Sequence, residues 1–252
     1  MTRDEFARRQ AAALGPARWQ AQAPLAPLTT FNVGGKADWL AEIRSVSELQ
    51  ALLADAAAAG VPVTILGGGS NVLVADEGVR DVVLSLRRAC GATSFNGTEV
   101  RAGGAVMLPA LARAAAERDL GGLEFAIGIP GSVGGALQTN AGISDGRAIG
   151  DLARSVEVLR MHGHEAGRIV TLARDEIEFA YRTTSLRGSD NLILGARLGL
   201  TARPRAEVDA EMRRLLEARQ RSQPTAEPNA GSIFRNPEGD HAGRLRFFPF
   251  RR

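Results

Sequence analysis

The sequence predicts an α+β fold, and three observations carry that prediction. Residues 37–86 read as strand, helix, strand, strand, a mixed pattern rather than a regular βαβ alternation. Two glycine-dense stretches, Gly67–Asn71 and Gly131–Gly142, each follow an apolar run. The chain has 252 residues, 44% of them hydrophobic and 23% charged, which is the composition of a soluble globular protein with room for two or three domains.

The elements follow in order. Residues 1–22 form an Ala- and Arg-rich leader with some helical character, broken by Pro24 and Pro27. Leu28–Ala37 places Thr29, Thr30 and Asn32 beside the pair Gly34-Gly35, a setting for a turn or a ligand contact, and by itself better read as a turn. Ala37–Ile43 reads as a strand. Ser45 and Glu48 have capping-box spacing, and Val46, Leu49, Leu52 and Leu53 follow at helical period until Gly60. Next come two apolar runs, Val63–Leu66 and Val72–Val74, with the length of buried strands. Between them lie Gly67, Gly68, Gly69, Ser70 and Asn71. Glycine lets the backbone approach a ligand closely, and successive N–H groups in such a turn suit a phosphate or pyrophosphate. A tight turn between strands is the plain alternative.

Arg80–Leu86 reads as a further strand, as do residues 99–103. Leu108, Leu111, Ala112 and Ala115 mark a second amphipathic helix, ending by Gly121-Gly122. The stretch from Leu123 to Gly142 then concentrates glycine, Pro130 and small polar residues, more positions without a Cβ than a structural loop needs. Gly131, Ser132 and Gly134 suit a pyrophosphate at a helix start, and Asn140 is a candidate reader of a ring or ribose. Residues 155–160 and 191–200 alternate as strands. Phe179–Ser185 holds the only tyrosine, Tyr181, beside Arg182. That pair can grip an anionic substrate through a guanidinium fork and a hydroxyl, or can be a surface arginine beside a core aromatic. Pro204 marks a boundary, and Glu207–Arg221 is a helix with Val208, Met212, Leu215 and Leu216 on one face.

Several function classes are excluded. Val72 stands where a dinucleotide fingerprint beginning at Gly67 needs its third glycine, and no P-loop lysine follows. Ser232 follows Gly231 but lacks the G-x-S-x-G frame of a hydrolase elbow. His162 and His164 sit in a turn without a third ligand, so no metal site is expected. The formal charge is only +3, and Lys36 is the one lysine. There is no basic run, so nucleic acid is not an expected partner, whereas an Arg-lined pocket for an anionic small molecule is. No apolar run approaches a membrane span and the N-terminus lacks a secretory signal. The single cysteine, Cys90, fits a reducing cytoplasm and a small core residue.

Taken together, TTFNVGG, LGGGSNVLVAD, IGIPGSVGGALQTNAG, FAYRTTSLR and AGSIFRNP resemble, in order and rough spacing, the UDP-N-acetylenolpyruvoylglucosamine reductase family. The resemblance covers roughly residues 25–244 and is closer to the shorter form of that family. It implies a flavin-binding module of the vanillyl-alcohol-oxidase (PCMH) type over 25–202, in subdomains of about 25–87 and 88–202. A leader over 1–24 would precede it, and a smaller, incomplete α+β substrate-binding domain over 203–252 would follow. It further implies non-covalent FAD held by Gly67–Asn71 and by Gly131, Ser132, Gly134 and Asn140, with NADPH as co-substrate. The substrate would be a UDP-sugar enolpyruvyl ether, bound by Tyr181 and Asn236, with an Arg near 219–221 for the diphosphate. Arg182 would stabilise an enolate-like state and Ser232 would deliver a proton. A cytoplasmic monomer of peptidoglycan precursor synthesis is expected. The chain departs from the family after Leu245. Arg246–Arg252 does not resemble the segment that carries a catalytic glutamate in the family, so a flavin-binding chain with impaired turnover is the alternative. The 205–222 helix is then expected to lack much of its packing partner.

Overall fold

The computed structural model describes residues 1–223, 228–229, 234–237, 239–240 and 242. The N-terminal residues are not a detached leader. Helix α1 (Arg3–Leu14) starts at a full capping box, in which the Thr2 side chain accepts from Glu5 N and Glu5 reaches back to Thr2 N. Strand β1 (Trp19–Pro24) pairs antiparallel with β2 (Lys36–Glu42). Helix α2 (Val46–Ala58) carries the chain over to β3 (Val63–Ile65) and then to β4 (Val79–Ser85), giving a four-stranded sheet in the order β1-β2-β4-β3. The pairs β2–β4 and β3–β4 are parallel. Phe6 is fully buried and meets Trp19 and Trp39 edge-on at 5.8 Å, while the two indoles stack at 5.9 Å. This aromatic cluster is why the leader folds with the sheet: burying one such side chain contributes roughly 1.5–3 kcal/mol.

The start of α2 departs slightly from expectation. Ser45 Oγ accepts from Glu48 N at 3.1 Å, but the Glu48 carboxylate accepts from Arg44 N, and not from Ser45 N. That backbone donor, aided by Arg18, holds the Glu48 carboxyl below its usual range. The run Val72–Val74 is not a strand. The chain has already left the sheet at Gly67, so it has no ladder partner; Leu73 is 72% exposed while Val74 tucks under Gly34.

The second sheet has the order β5-β6-β12-β8-β9 and is antiparallel throughout. In chain order it gathers β5 (Thr93–Asn96) and β6 (Glu99–Gly103), followed by α3 (Leu108–Ala116), the short β7 (Leu120–Gly121) and a 3-10 turn (Glu124–Gly128). Then come α4 (Val133–Thr139), α5 (Ile149–Leu152), β8 (Ala153–Arg160) and β9 (Ile169–Ala173). A hairpin of β10 (Phe179–Ala180) and β11 (Thr183–Thr184) precedes β12 (Asn191–Gly199), β13 (Thr201–Ala202) and α6 (Arg205–Ser222). One face of this sheet packs Val100, Ala102, Val156, Val158 and Leu198 against α3 and α4. Its Leu159, Leu192 and Leu194 join the core of the first sheet with Leu49, Leu52 and Leu84.

Helix α6 does have a packing partner. Val208 and Met212 are buried, with Leu215 and Leu216 packed against the same core as α3 and the 3-10 turn. At its start, buried Glu124 accepts from Arg203 at 2.9 Å and from Gly122 N at 2.7 Å. Among the described residues no helix is long and apolar enough to cross a membrane, and no group of three or more His, Cys, Asp or Glu gathers as a metal site. His162 pairs with Asp190 at the surface.

Candidate functional site

Where β3 ends, Leu66 N still donates to Leu84 O, and the next residues peel away. The N–H groups of Gly67, Gly68, Gly69, Ser70 and Asn71 have no acceptor among the described residues. Backbone donors are obligatory hydrogen-bonding groups, and five in succession on a glycine turn form a docking row for anionic oxygens. The turn is pinned from behind. Gly69 has φ +64°, and a Cβ there would lie 2.0 Å from Leu28 O. Gly69 O accepts from Thr30 N at 3.0 Å, and Ser70 Oγ donates to Pro130 O at 2.9 Å.

The second glycine stretch lies against the first. A Cβ on Gly68 would sit 2.9 Å from Gly131 Cα, and one on Gly67 would meet Ser132 Oγ at 2.7 Å. Its own N–H groups are differently employed. Val133 N donates to Val106 O and Gly134 N to Gly104 O, both at 2.8 Å, and Gly135 N donates to the capping Ser132 Oγ at 3.4 Å. The expected pyrophosphate contact through Gly134 at the start of α4 is therefore not available: that donor is spent on the connection between β6 and α3. Gly134 is instead a close backbone approach, with Gly104 O only 3.0 Å from its Cβ direction.

Asn140 also meets protein groups. It ends α4 in the left-handed region at φ +45°, and both ends of its amide are engaged by protein. Oδ1 accepts from Gly150 N and Nδ2 donates to Ala180 O, each at 3.0 Å. These two bonds make the side chain a brace for the β10–β11 hairpin.

That hairpin turns through Tyr181 and Arg182. Tyr181 is 56% exposed, and the Arg182 guanidinium lies 5.5 Å from its ring centroid. Arg182 adopts φ +57°, a left-handed conformation uncommon for arginine and concentrated at functional sites. Two contacts bring the C-terminal loop to this hairpin and to the Gly69 turn. Arg235 Nη2 donates to Arg182 O at 3.5 Å, and Thr30 Oγ1 donates to Asn229 O at 2.7 Å. Asn236 Oδ1 accepts from Ala242 N at 3.0 Å. Ser232 lies outside the described residues.

Sequence reasoning left open which arginine of 219–221 faces the site. The Arg219 side chain crosses Gly128, just before the second glycine stretch, with Cδ 3.4 Å from that residue's Cβ direction. Desolvation lowers its pKa, and no acidic partner for it occurs among the described residues. A half-buried guanidinium without a carboxylate is a site for an anion.

Helix α4 thus works as a strut. Its first residue follows Ser132 beside the Gly67 turn, and Asn140 at its end holds the residue before Tyr181. Seven residues at helical rise put these ends about 10 Å apart.

A family model described as an FAD binding domain matches residues 37–173. UDP-N-acetylenolpyruvoylglucosamine reductase 2 of Symbiobacterium thermophilum is 44% identical over 231 residues, covering 91% of this chain and 73% of that protein. The crystal structure of UDP-N-acetylenolpyruvylglucosamine reductase (MurB) from Thermus caldophilus superposes with a TM-score of 0.74 at 35% identity, covering 88% of this chain and 77% of that one. An alkyldihydroxyacetonephosphate synthase shares the fold alone, with a TM-score of 0.56 at 19% identity over 80% of this chain and 41% of its own.

Proposed function

Because the chain belongs to the UDP-N-acetylenolpyruvoylglucosamine reductase family of FAD flavoproteins, whose role is in peptidoglycan synthesis, we propose that it reduces UDP-N-acetyl-enolpyruvoylglucosamine to UDP-N-acetylmuramate with NADPH as reductant. One observation carries the reading: the row of N–H groups at Gly67–Asn71, without acceptors among the described residues, and the Tyr181–Arg182 turn stand at opposite ends of α4. An anionic cofactor fits the first, since every Cβ that would crowd the turn is missing at Gly67–Gly69.

Gly67–Asn71 would hold the FAD pyrophosphate, with Gly131 and Ser132 lining the opposite wall. Bound FAD supplies hydride chemistry at the enol-ether double bond. Arg182 faces the substrate carboxylate and stabilises the negative charge that builds toward it, since its charge is fixed and its fork matches a carboxylate. Ser232 delivers the proton to the neighbouring carbon. A hydroxyl is a weak acid, so this transfer needs a strongly basic enolate-like acceptor. Tyr181 and Asn236 bind the sugar nucleotide, and Arg219 takes its diphosphate.

The flavin module is taken as residues 25–202, with α1 and β1 completing its first sheet, and 203–252 as the substrate-binding part. We infer a cytoplasmic monomer with neither nucleic acid nor membrane as partner, supported by the small net charge and the absence of basic runs.

The test is anaerobic. The purified chain should show a flavin band that bleaches with NADPH and returns when the enolpyruvyl sugar nucleotide is added. Arg182→Ala should bleach normally but recover 10²- to 10³-fold more slowly, on the scale of losing one transition-state donor. A wild-type band that bleaches and is never restored by the substrate would refute the reductase assignment.

A further inference from the structure

We propose that Asn140 is a positioning residue for the substrate, fixing the Tyr181–Arg182 turn against the end of α4. This rests on the reductase reading above, in which that turn meets the substrate. Both strands of the hairpin are tied to the same helix end. β10 is held by Asn140 Nδ2 on Ala180 O. β11 is held by Thr184, buried, whose Oγ1 donates to Leu137 O at 3.1 Å. Only three residues separate the anchors, and the second of them, Arg182, sits at φ +57°. A bulky side chain keeps such a backbone only where its surroundings over-determine it.

The anchor is itself braced. Asn140 Oδ1 is aimed by Gly150 N, and the Phe179 ring lies on Gly150 so closely that a Cβ there would be 2.4 Å from it. The Arg174 guanidinium lies 4.4 Å from the centroid of that ring and donates through Nε to Gly150 O. A small amide meets both demands of the position. It tolerates the left-handed backbone, and it offers a donor and an acceptor at once. Aspartate would keep the Gly150 bond but set an oxygen against Ala180 O; glycine would keep the backbone and lose both bonds.

The chain offers a direct probe, because Tyr181 is its only tyrosine. Protein labelled with 3-fluorotyrosine should give one 19F resonance. In Asn140→Gly and Asn140→Asp that resonance should shift or broaden, while FAD affinity and NADPH bleaching stay at wild-type values. Recovery of the band by the enolpyruvyl substrate should then slow roughly 10- to 100-fold, as for a small misplacement of a binding group, and KM should rise. An unmoved resonance in both variants would overturn the proposal. So would loss of FAD binding in both, since Asn140 would then serve the cofactor. Wild-type protein inert toward the substrate would count against the reductase reading alone, and the 19F signal would still decide whether Asn140 sets the turn.

Discussion

The two glycine-dense stretches look alike in sequence and do different physical work. At Gly67–Asn71, where three side chains are missing, five N–H groups have no acceptor among the described residues. At Gly131–Gly135 the missing side chains let one backbone press on another, and the donors of Val133, Gly134 and Gly135 are consumed within the fold. Glycine density therefore marks close approach, and only the hydrogen-bond inventory says whether a ligand or the protein is what comes close.

Substitutions can break that contrast. The largest effect is expected at Gly69, where φ is +64° and a Cβ would strike Leu28 O. Gly69→Ala should cost at least about 2 kcal/mol and abolish flavin binding, measured by thermal melting and by the visible band of the purified protein. Gly134→Ala should cost about 1 kcal/mol, because a tight contact with Gly104 O outweighs the gain in helix propensity. It should keep its flavin. A colourless but folded Gly134→Ala protein would erase the distinction between the two turns.

A smaller effect sharpens the contrast from outside. The loop after α4 is tied to α6 through Arg147, which bonds both Asp145 and Glu211. The Arg214 guanidinium, then Arg147, holds the Glu211 carboxyl down to about 2, against an ordinary value of 4.5. A depressed carboxyl contributes stability that is complete above its unfolded pKa and is lost as pH falls through the folded one. The tie should thus weaken between about pH 4.5 and 2. Glu211→Gln should melt lower than wild type at pH 6 and converge with it toward pH 2. The difference should be modest, since the guanidinium of Arg214 is largely solvated.

Much of the fold was legible because apolar period and chain breakers coincide. β2, α2, β6, α3, β8 and α6 carry buried side chains spaced along one face of the element, and β4 and β12 bury short continuous apolar runs. β1 was not legible: only Trp19 and Ala23 turn inward, and the residues between them are exposed. β5 buries none of its four residues. Val72–Val74 was overread, since an apolar run makes a strand only where a neighbour offers a ladder. For the site, the Tyr181–Arg182 pair stood out as the lone tyrosine beside a guanidinium. The left-handed turn that presents it did not, because it is imposed by Asn140 and Thr184 from a helix end some forty residues away. An amide read in sequence shows that it can bond, but not to what.

The aromatic cluster under α1 has an optical consequence. Trp19 and Trp39 are the only tryptophans and both belong to the first sheet, whereas Tyr181 belongs to a hairpin beside the second. Indole emission and the 19F signal of the single fluorotyrosine therefore observe different halves of the chain. The core between those halves is shared, with Leu159 and Leu192 of the second sheet set among the leucines of α2. The two signals thus watch opposite flanks of one continuous apolar interior, and their coincidence in denaturant is a measure of how cooperatively that interior holds.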